Sequence, residues 1–235
     1  MIIMGIDSST PQASVALLKD GQVLAQTKID VSATVSNQIL FLIDQVLTAS
    51  SIKLMNLDGF CLTTGPGSFT GLRVGASILK GLLLATAKPF VKIDTLEALA
   101  LQAMPTNNKI CSILDARKKE VYAATFFAND GDLESLTPDR ALTPNNLCQE
   151  INTPTVFIGN GLDNYGAFLK SQLGLNFIPT KKVEDTVATC AARLAEKRFK
   201  NTKTTNLDEL TIKYVRKSEA ELKFKEKNLH SKGEI

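Results

Sequence analysis

Twice in this chain an apolar run ends on an aspartate, turns, and returns through a second run that approaches an Asp-Gly pair. Residues 2–6 lead to Asp7 and the polar turn Ser8-Ser9-Thr10-Pro11; residues 13–18 then lead to Asp20-Gly21, before a third run at 22–27. Residues 110–114 lead to Asp115, residues 120–127 follow, and Asp130-Gly131 precedes 133–136. Asp-Gly between strand-like runs is a strong hairpin signal, so each passage reads as an antiparallel meander. The strand-ending Asp precedes the turn Asp by 13 residues in the first passage and by 15 in the second. That spacing reads as an internal duplication and points to an α/β chain built from two related halves.

Between the meanders, Val35, Ile39, Leu42, Ile43 and Val46 recur at helical spacing within 33–49, and Leu40, Phe41 and Leu47 widen the stripe. A strand at 58–62, a sharp loop at 63–68, a helix over 69–86, a strand at 90–93 and a helix over 95–104 complete a βββαβαβα half. Beyond the second meander the pattern predicts a short helix over 143–150, a strand at 155–158 and a helix over 185–199. The expected lobes are 1–105 and 106–218, followed by a charged tail, 219–235.

The chain has one histidine, His230, which lies in that tail. Paired-histidine zinc sites and Ser-His-Asp or Cys-His catalysis therefore have almost no material. Cys61, Cys111, Cys148 and Cys190 form no C-x-x-C pair and read as reduced, mostly buried thiols. Net charge is +3, too small to imply nucleic-acid affinity by bulk charge. A local excess runs from Arg193 to Lys217, with eight basic and three acidic residues; a solvated helix face is the expectation there, with room left for a weak nucleic-acid contact. The N-terminus reads as a strand and not as a leader, and the apolar run from Val74 to Ala87 is too short to span a bilayer, so a cytoplasmic protein without a membrane partner is expected.

Three stretches invite a chemical reading. Asp7-Ser8-Ser9-Thr10 is a turn that would hold a phosphate and a metal's water, or else satisfy its own backbone. Gly65-Pro66-Gly67-Ser68-Phe69-Thr70-Gly71-Leu72-Arg73 is neither a P-loop nor a dinucleotide fingerprint. Ser68 is placed to cap the following helix, whose N-terminus would otherwise suit an anion. Asp115-Ala116-Arg117-Lys118-Lys119 repeats the strand-ending carboxylate, and its three cations read as solvated hairpin charges or as an edge for an acidic partner. Gly71 and Gly75 lie four apart on a helix whose only charge between Arg73 and Lys88 is Lys80. With the over-apolar helix before it, this predicts an association surface in preference to the alternative, a thicker core.

Ile6-Asp7-Ser8-Ser9-Thr10, the run from Gly65 to Gly75, and Ile113-Leu114-Asp115-Ala116-Arg117 through Glu120-Val121-Tyr122 together resemble the TsaB (YeaZ) family. The resemblance is strong over residues 1 to about 127 and thin beyond, where Tyr214-Val215-Arg216 matches a near-terminal Tyr-x-Arg. Val35 stands where relatives often have His, and Ile212 where they have Pro. The resemblance implies a two-lobed actin/Hsp70/sugar-kinase-like (ASKHA) fold. It also implies a non-catalytic partner of TsaD, the subunit that places a threonylcarbamoyl group on adenosine 37 of tRNAs reading ANN codons, with the ATPase TsaE joining the pair. ATP and a metal ion are left to those partner subunits, and no cofactor is expected on this chain. The residues expected to bind TsaD, and to form a homodimer when the chain is alone, are Val35, Ile39, Ile43, Gly71, Gly75, Leu79 and Leu82. Asp7, Ser8, Ser9, Thr10 and Asp115 would be a vestigial nucleotide site. The rival reading is an independent ASKHA-type ATPase or kinase, with Asp7 and Asp115 facing a metal.

Overall fold

In the computed structural model, residues 1–30, 35–129, 132–180 and 183–216 are described, without the side chains of residues 35–37. The Asp130-Gly131 turn, Lys217, His230 and the 219–235 tail lie outside the described residues.

The first meander forms β1 (Ile2–Asp7), β2 (Gln12–Lys19) and β3 (Gln22–Asp30), followed by α1 (Val35–Ser50), β4 (Gly59–Thr63), α2 (Phe69–Thr86), β5 (Phe90–Ile93) and α3 (Thr95–Gln102). The second half runs β6 (Lys109–Arg117), β7 (Glu120–Asn129), β8 (Asp132–Ser135), β9 (Arg140–Leu142), α4 (Pro144–Glu150), β10 (Thr155–Ile158), α5 (Gly161–Leu173), β11 (Phe177–Pro179) and α6 (Val187–Thr202). The sheets are ordered β3-β2-β1-β4-β5 and β8-β7-β6-β10-β11. Strand for strand the two orders are the same. In each, the first strand pairs antiparallel with its hairpin partner and parallel with the strand that follows the next helix. The duplication thus extends through the whole second half, including α5 and β11, which the sequence pattern left unassigned; β9 is an addition that pairs with β7.

Alternation along the strands sorts side chains into three cores. Met4, Ile6, Val15, Leu17, Phe60 and Leu62 face α1 and α2. Cys111, Ile113, Val121 and Phe157 face α4 and α5. Between the sheets, Ile3, Leu18, Val91, Leu114, Tyr122 and Phe126 enclose α3 and α6. Gly5 and Gly59 make the central packing possible, because a Cβ at either would overlap Ala188 O or the Phe199 ring of α6. The layering is crossed: α3 packs on the second sheet, while α6 packs on the first.

By length and apolarity α2 would pass for a membrane span. Its buried residues Ala76, Leu79 and Leu83 instead join the outer core of the first sheet.

Candidate functional site

The turn after β1 is closed on itself. Asp7 is fully buried and accepts from Ser9 N at 3.0 Å and from the hydroxyls of Ser9 and Thr63, while Thr10 Oγ1 lies 2.9 Å from its other oxygen. Burial pushes its carboxyl above the ordinary range, and these hydrogen bonds work in the opposite direction. Asp7 is thus held by groups of its own turn and of β4.

The glycine-rich stretch is folded over this turn. A Cβ at Gly67 would overlap Ser9 O, one at Gly71 would overlap Ser8 O, and one at Gly75 would overlap Ser8 Oγ. Ser8 Oγ donates to Gly71 O at 2.8 Å, Ser68 N donates to Ser9 O at 2.8 Å, and Ser68 Oγ caps α2 by accepting from Gly71 N. The expectation that Gly71 and Gly75 admit a partner helix is therefore corrected: they admit the β1 turn of their own chain.

From the far end of the chain, residues 211–216 form a strap over the same loop. Lys213 N donates to Thr64 O, and a Cβ at Gly65, where φ is +118°, would overlap Lys213 O. Tyr214 stacks on Phe69 with ring centroids 5.0 Å apart and accepts from Arg73 Nε at 3.0 Å. Lys213 Nζ reaches Asp94 at 2.7 Å and Asp139 at 2.6 Å, joining α3 to the loop before β9. Burial, then the neighbouring Asp94 carboxylate, push Asp139 from 3.8 up to about 7, against Lys213. A carboxyl raised on folding binds more protons in the native state between those values, so its contribution to stability falls as pH rises from about 4 to 7. Denaturation midpoints at pH 5 and pH 7.5 are expected to lie closer together in Asp139→Asn than in the parent; an unchanged difference would refute this assignment.

Asp115 is occupied in its own half. Its Oδ1 accepts from Arg117 N at 2.8 Å and its Oδ2 from Asn164 Nδ2 at 2.9 Å. A cleft of about 400 Å³ between the sheets is lined by Thr10, Lys28, Asp30, Asn160, Asp163 and Asp185 among others, but by neither Asp7 nor Asp115. Each strand-ending carboxylate is hydrogen-bonded within its own half. Among the described residues no three His, Cys, Asp or Glu side chains gather as metal ligands. Cys61, Cys111 and Cys190 are buried, which pushes all three thiols up, the last two to about 12.

The apolar excess on α1 and α2 is present, at other positions than expected. Ile39, Ile43 and Leu79 are core residues, Gly71 and Gly75 are buried, Leu82 is half-buried, and the Val35 side chain lies outside the described residues. Outward stand Leu40 and Phe41 on α1, 50% and 54% exposed, and Leu84 on α2, 74% exposed, with Val74, Ile78 and Leu82 half-buried along α2. The two helices touch, and each carries outward apolar residues with few charges among them.

The basic run from Arg193 is largely neutralised. Arg193 pairs with Asp185, Lys197 with Asp132, Arg198 with Glu97, Lys213 with Asp94 and Asp139, and Arg216 with Glu120.

The chain matches a family model described as "TsaD: tRNA N6-adenosine threonylcarbamoyltransferase" over residues 30–228, well past the point where the motifs thin out. It is 30% identical over 186 residues to the tRNA threonylcarbamoyladenosine biosynthesis protein TsaB of Haemophilus influenzae, covering 74% of this chain and 78% of that one. It is 27% identical to the Bacillus subtilis protein of the same description, over 95% and 98% of the two chains. YeaZ from Pseudomonas aeruginosa superposes with a TM-score of 0.76 at 20% identity, covering 91% of this chain and 99% of that one. The ROK hexokinase from Thermus thermophilus superposes at 0.51 and 10% identity, over 86% and 100% of the two chains, a likeness of fold to a sugar kinase.

Proposed function

This chain belongs to the TsaB family, and from that premise we propose that it is a non-catalytic scaffold subunit of the machinery that forms threonylcarbamoyladenosine in tRNA. In this reading it binds TsaD through the outer surface of α1 and α2, TsaE joins the pair, and the work is done in the cytoplasm. The observation that carries the proposal is the exposed apolar layer of Leu40, Phe41 and Leu84 on two touching helices, which a monomer leaves in water at a cost of roughly 25 cal/mol per Å². Its counterpart is the closure of Asp7 inside its own turn and the engagement of Asp115 by Arg117 and Asn164. Those bonds hold both carboxylates in their own turns, which supports a structural role for each over an ATPase or kinase on this chain. Co-expression with TsaD tests the proposal: the two chains are expected to copurify at equal stoichiometry, and their separation through size exclusion at micromolar concentration would reject it.

A further inference from the structure

The cleft between the two sheets is lined by charges of both signs that the chain leaves unpaired. On β3, Gln26, Lys28 and Asp30 alternate onto one face. Gln26 fixes that face against the start of α6, its Oε1 accepting from Thr186 N at 2.9 Å and from Thr189 Oγ1 at 2.7 Å. Lys28 and Asp30 thereby line the cleft from the first half, and Asp163, in the first turn of α5, lines it from the second. Among the described residues no ion pair or side-chain hydrogen bond engages Lys28 or Asp163. Asp30 Oδ1 accepts from the neutral Gln12 amide at 2.7 Å, and Asp185, the other carboxylate of the lining, is paired with Arg193. Leu99, Leu114, Ile158 and Val187, one each from α3, β6, β10 and α6, supply buried aliphatic wall. The volume of about 400 Å³ falls within the roughly 300–1,000 Å³ of small-molecule sites, which combine apolar walls with a few polar groups.

We propose that this cleft binds a free amino acid with a large apolar side chain. An unpaired ammonium and unpaired carboxylates in one cleft call for a ligand that carries both signs. Lys28 takes the ligand's carboxylate, Asp30 and Asp163 take its ammonium, and the aliphatic wall takes its side chain. A nucleoside polyphosphate would bring several negative charges to a lining of three aspartates and one lysine, and a simple cation would leave Lys28 unanswered. The inference stands apart from the scaffold reading, since the free chain contains the whole cleft.

The test titrates the full chain, without partners, with L-phenylalanine and two analogues that each lack one charge, phenethylamine and 3-phenylpropionate, followed by ligand-observed NMR. Phenylalanine is expected to bind with a Kd of about 1 mM or tighter, and each analogue at least about tenfold more weakly. Lys28→Met is expected to weaken phenylalanine at least about tenfold and to leave phenethylamine within about twofold of the parent. Asp30→Asn combined with Asp163→Asn is expected to weaken phenylalanine and phenethylamine at least about tenfold and to leave 3-phenylpropionate within about twofold. All three positions are exposed, so the variants are expected to keep the parent Tm within a few degrees. Lys170→Gln, an exposed change on α5 outside the cleft lining, is expected to bind phenylalanine as the parent does. The proposal is overturned if phenylalanine at 10 mM does not bind the parent, if either analogue binds as tightly as phenylalanine, or if the cleft variants bind as the parent does.

Discussion

Gly71→Ala is expected to destabilise the chain by about 1–3 kcal/mol, while Gly81→Ala, ten residues along the same helix, stabilises it by about 0.5–1 kcal/mol. At Gly71 the new methyl group would overlap the carbonyl oxygen of Ser8, a backbone atom fixed by the Asp7 turn and by strand pairing on both sides of β1. No rotamer relieves such an overlap, and the helix or the turn has to move. At Gly81 nothing lies within 4 Å, the residue is exposed, and alanine only reduces the entropy that glycine loses in a helix. Gly75 is intermediate, because its Cβ would meet a side-chain atom, Ser8 Oγ, that can rotate away. Urea denaturation of the three alanine variants is expected to rank them Gly71, Gly75, parent, Gly81 from least to most stable; a Gly71 variant within about 1 kcal/mol of the parent would refute the close packing described here. It follows that a bulky replacement such as Gly75→Arg tests folding and says nothing about partners.

The second large effect concerns association. Phe41→Glu combined with Leu84→Glu places two carboxylates on the exposed apolar layer of α1 and α2 without disturbing a core residue. The fold is expected to survive, with Tm within a few degrees of the parent. Binding through the centre of an interface is concentrated in a few large apolar anchors, so the pair is expected to weaken association with TsaD by at least about 100-fold and to turn a self-associated free chain into a monomer. Sedimentation and copurification read both. A variant that still copurifies with TsaD would place the contact elsewhere.

Much of this was legible in one dimension, and what was lost follows a physical pattern. The bounds of α2, β5 and β10 follow from punctuation that agrees at every level: the Ser68 cap, the apolar runs, and the Gly or Pro between them. Helix α5 carried a usable signal in Leu162, Tyr165, Leu169 and Leu173, but Gly166 and the polar residues between them diluted it. Which residues of the two helices stand outward was misread for a subtler reason. On α1, the narrow stripe of Ile39, Leu42, Ile43 and Val46 is the core, while Leu40 and Phe41, which widen it, are the outward residues. Excess apolar area is readable from sequence; which stripe meets the sheet is not, because that depends on how the helix is rolled against its neighbours. The roles of Gly71, Lys213 and Arg216 were hidden because their partners, Ser8, Asp139 and Ala116, lie far away along the chain. Short-range patterns carry no record of such contacts.

The central claim, a partner that supports chemistry without performing it, is tested most directly by threonylcarbamoylation of an unmodified tRNA transcript. TsaD and TsaE would be supplied with ATP and preformed threonylcarbamoyl adenylate, and this chain would be added, left out, or replaced by the Phe41→Glu, Leu84→Glu variant. The account predicts modification that rises with this chain to a plateau at one equivalent of TsaD, background levels with the variant, and none with this chain alone. Full modification in its absence, or turnover by this chain without TsaD, would contradict it.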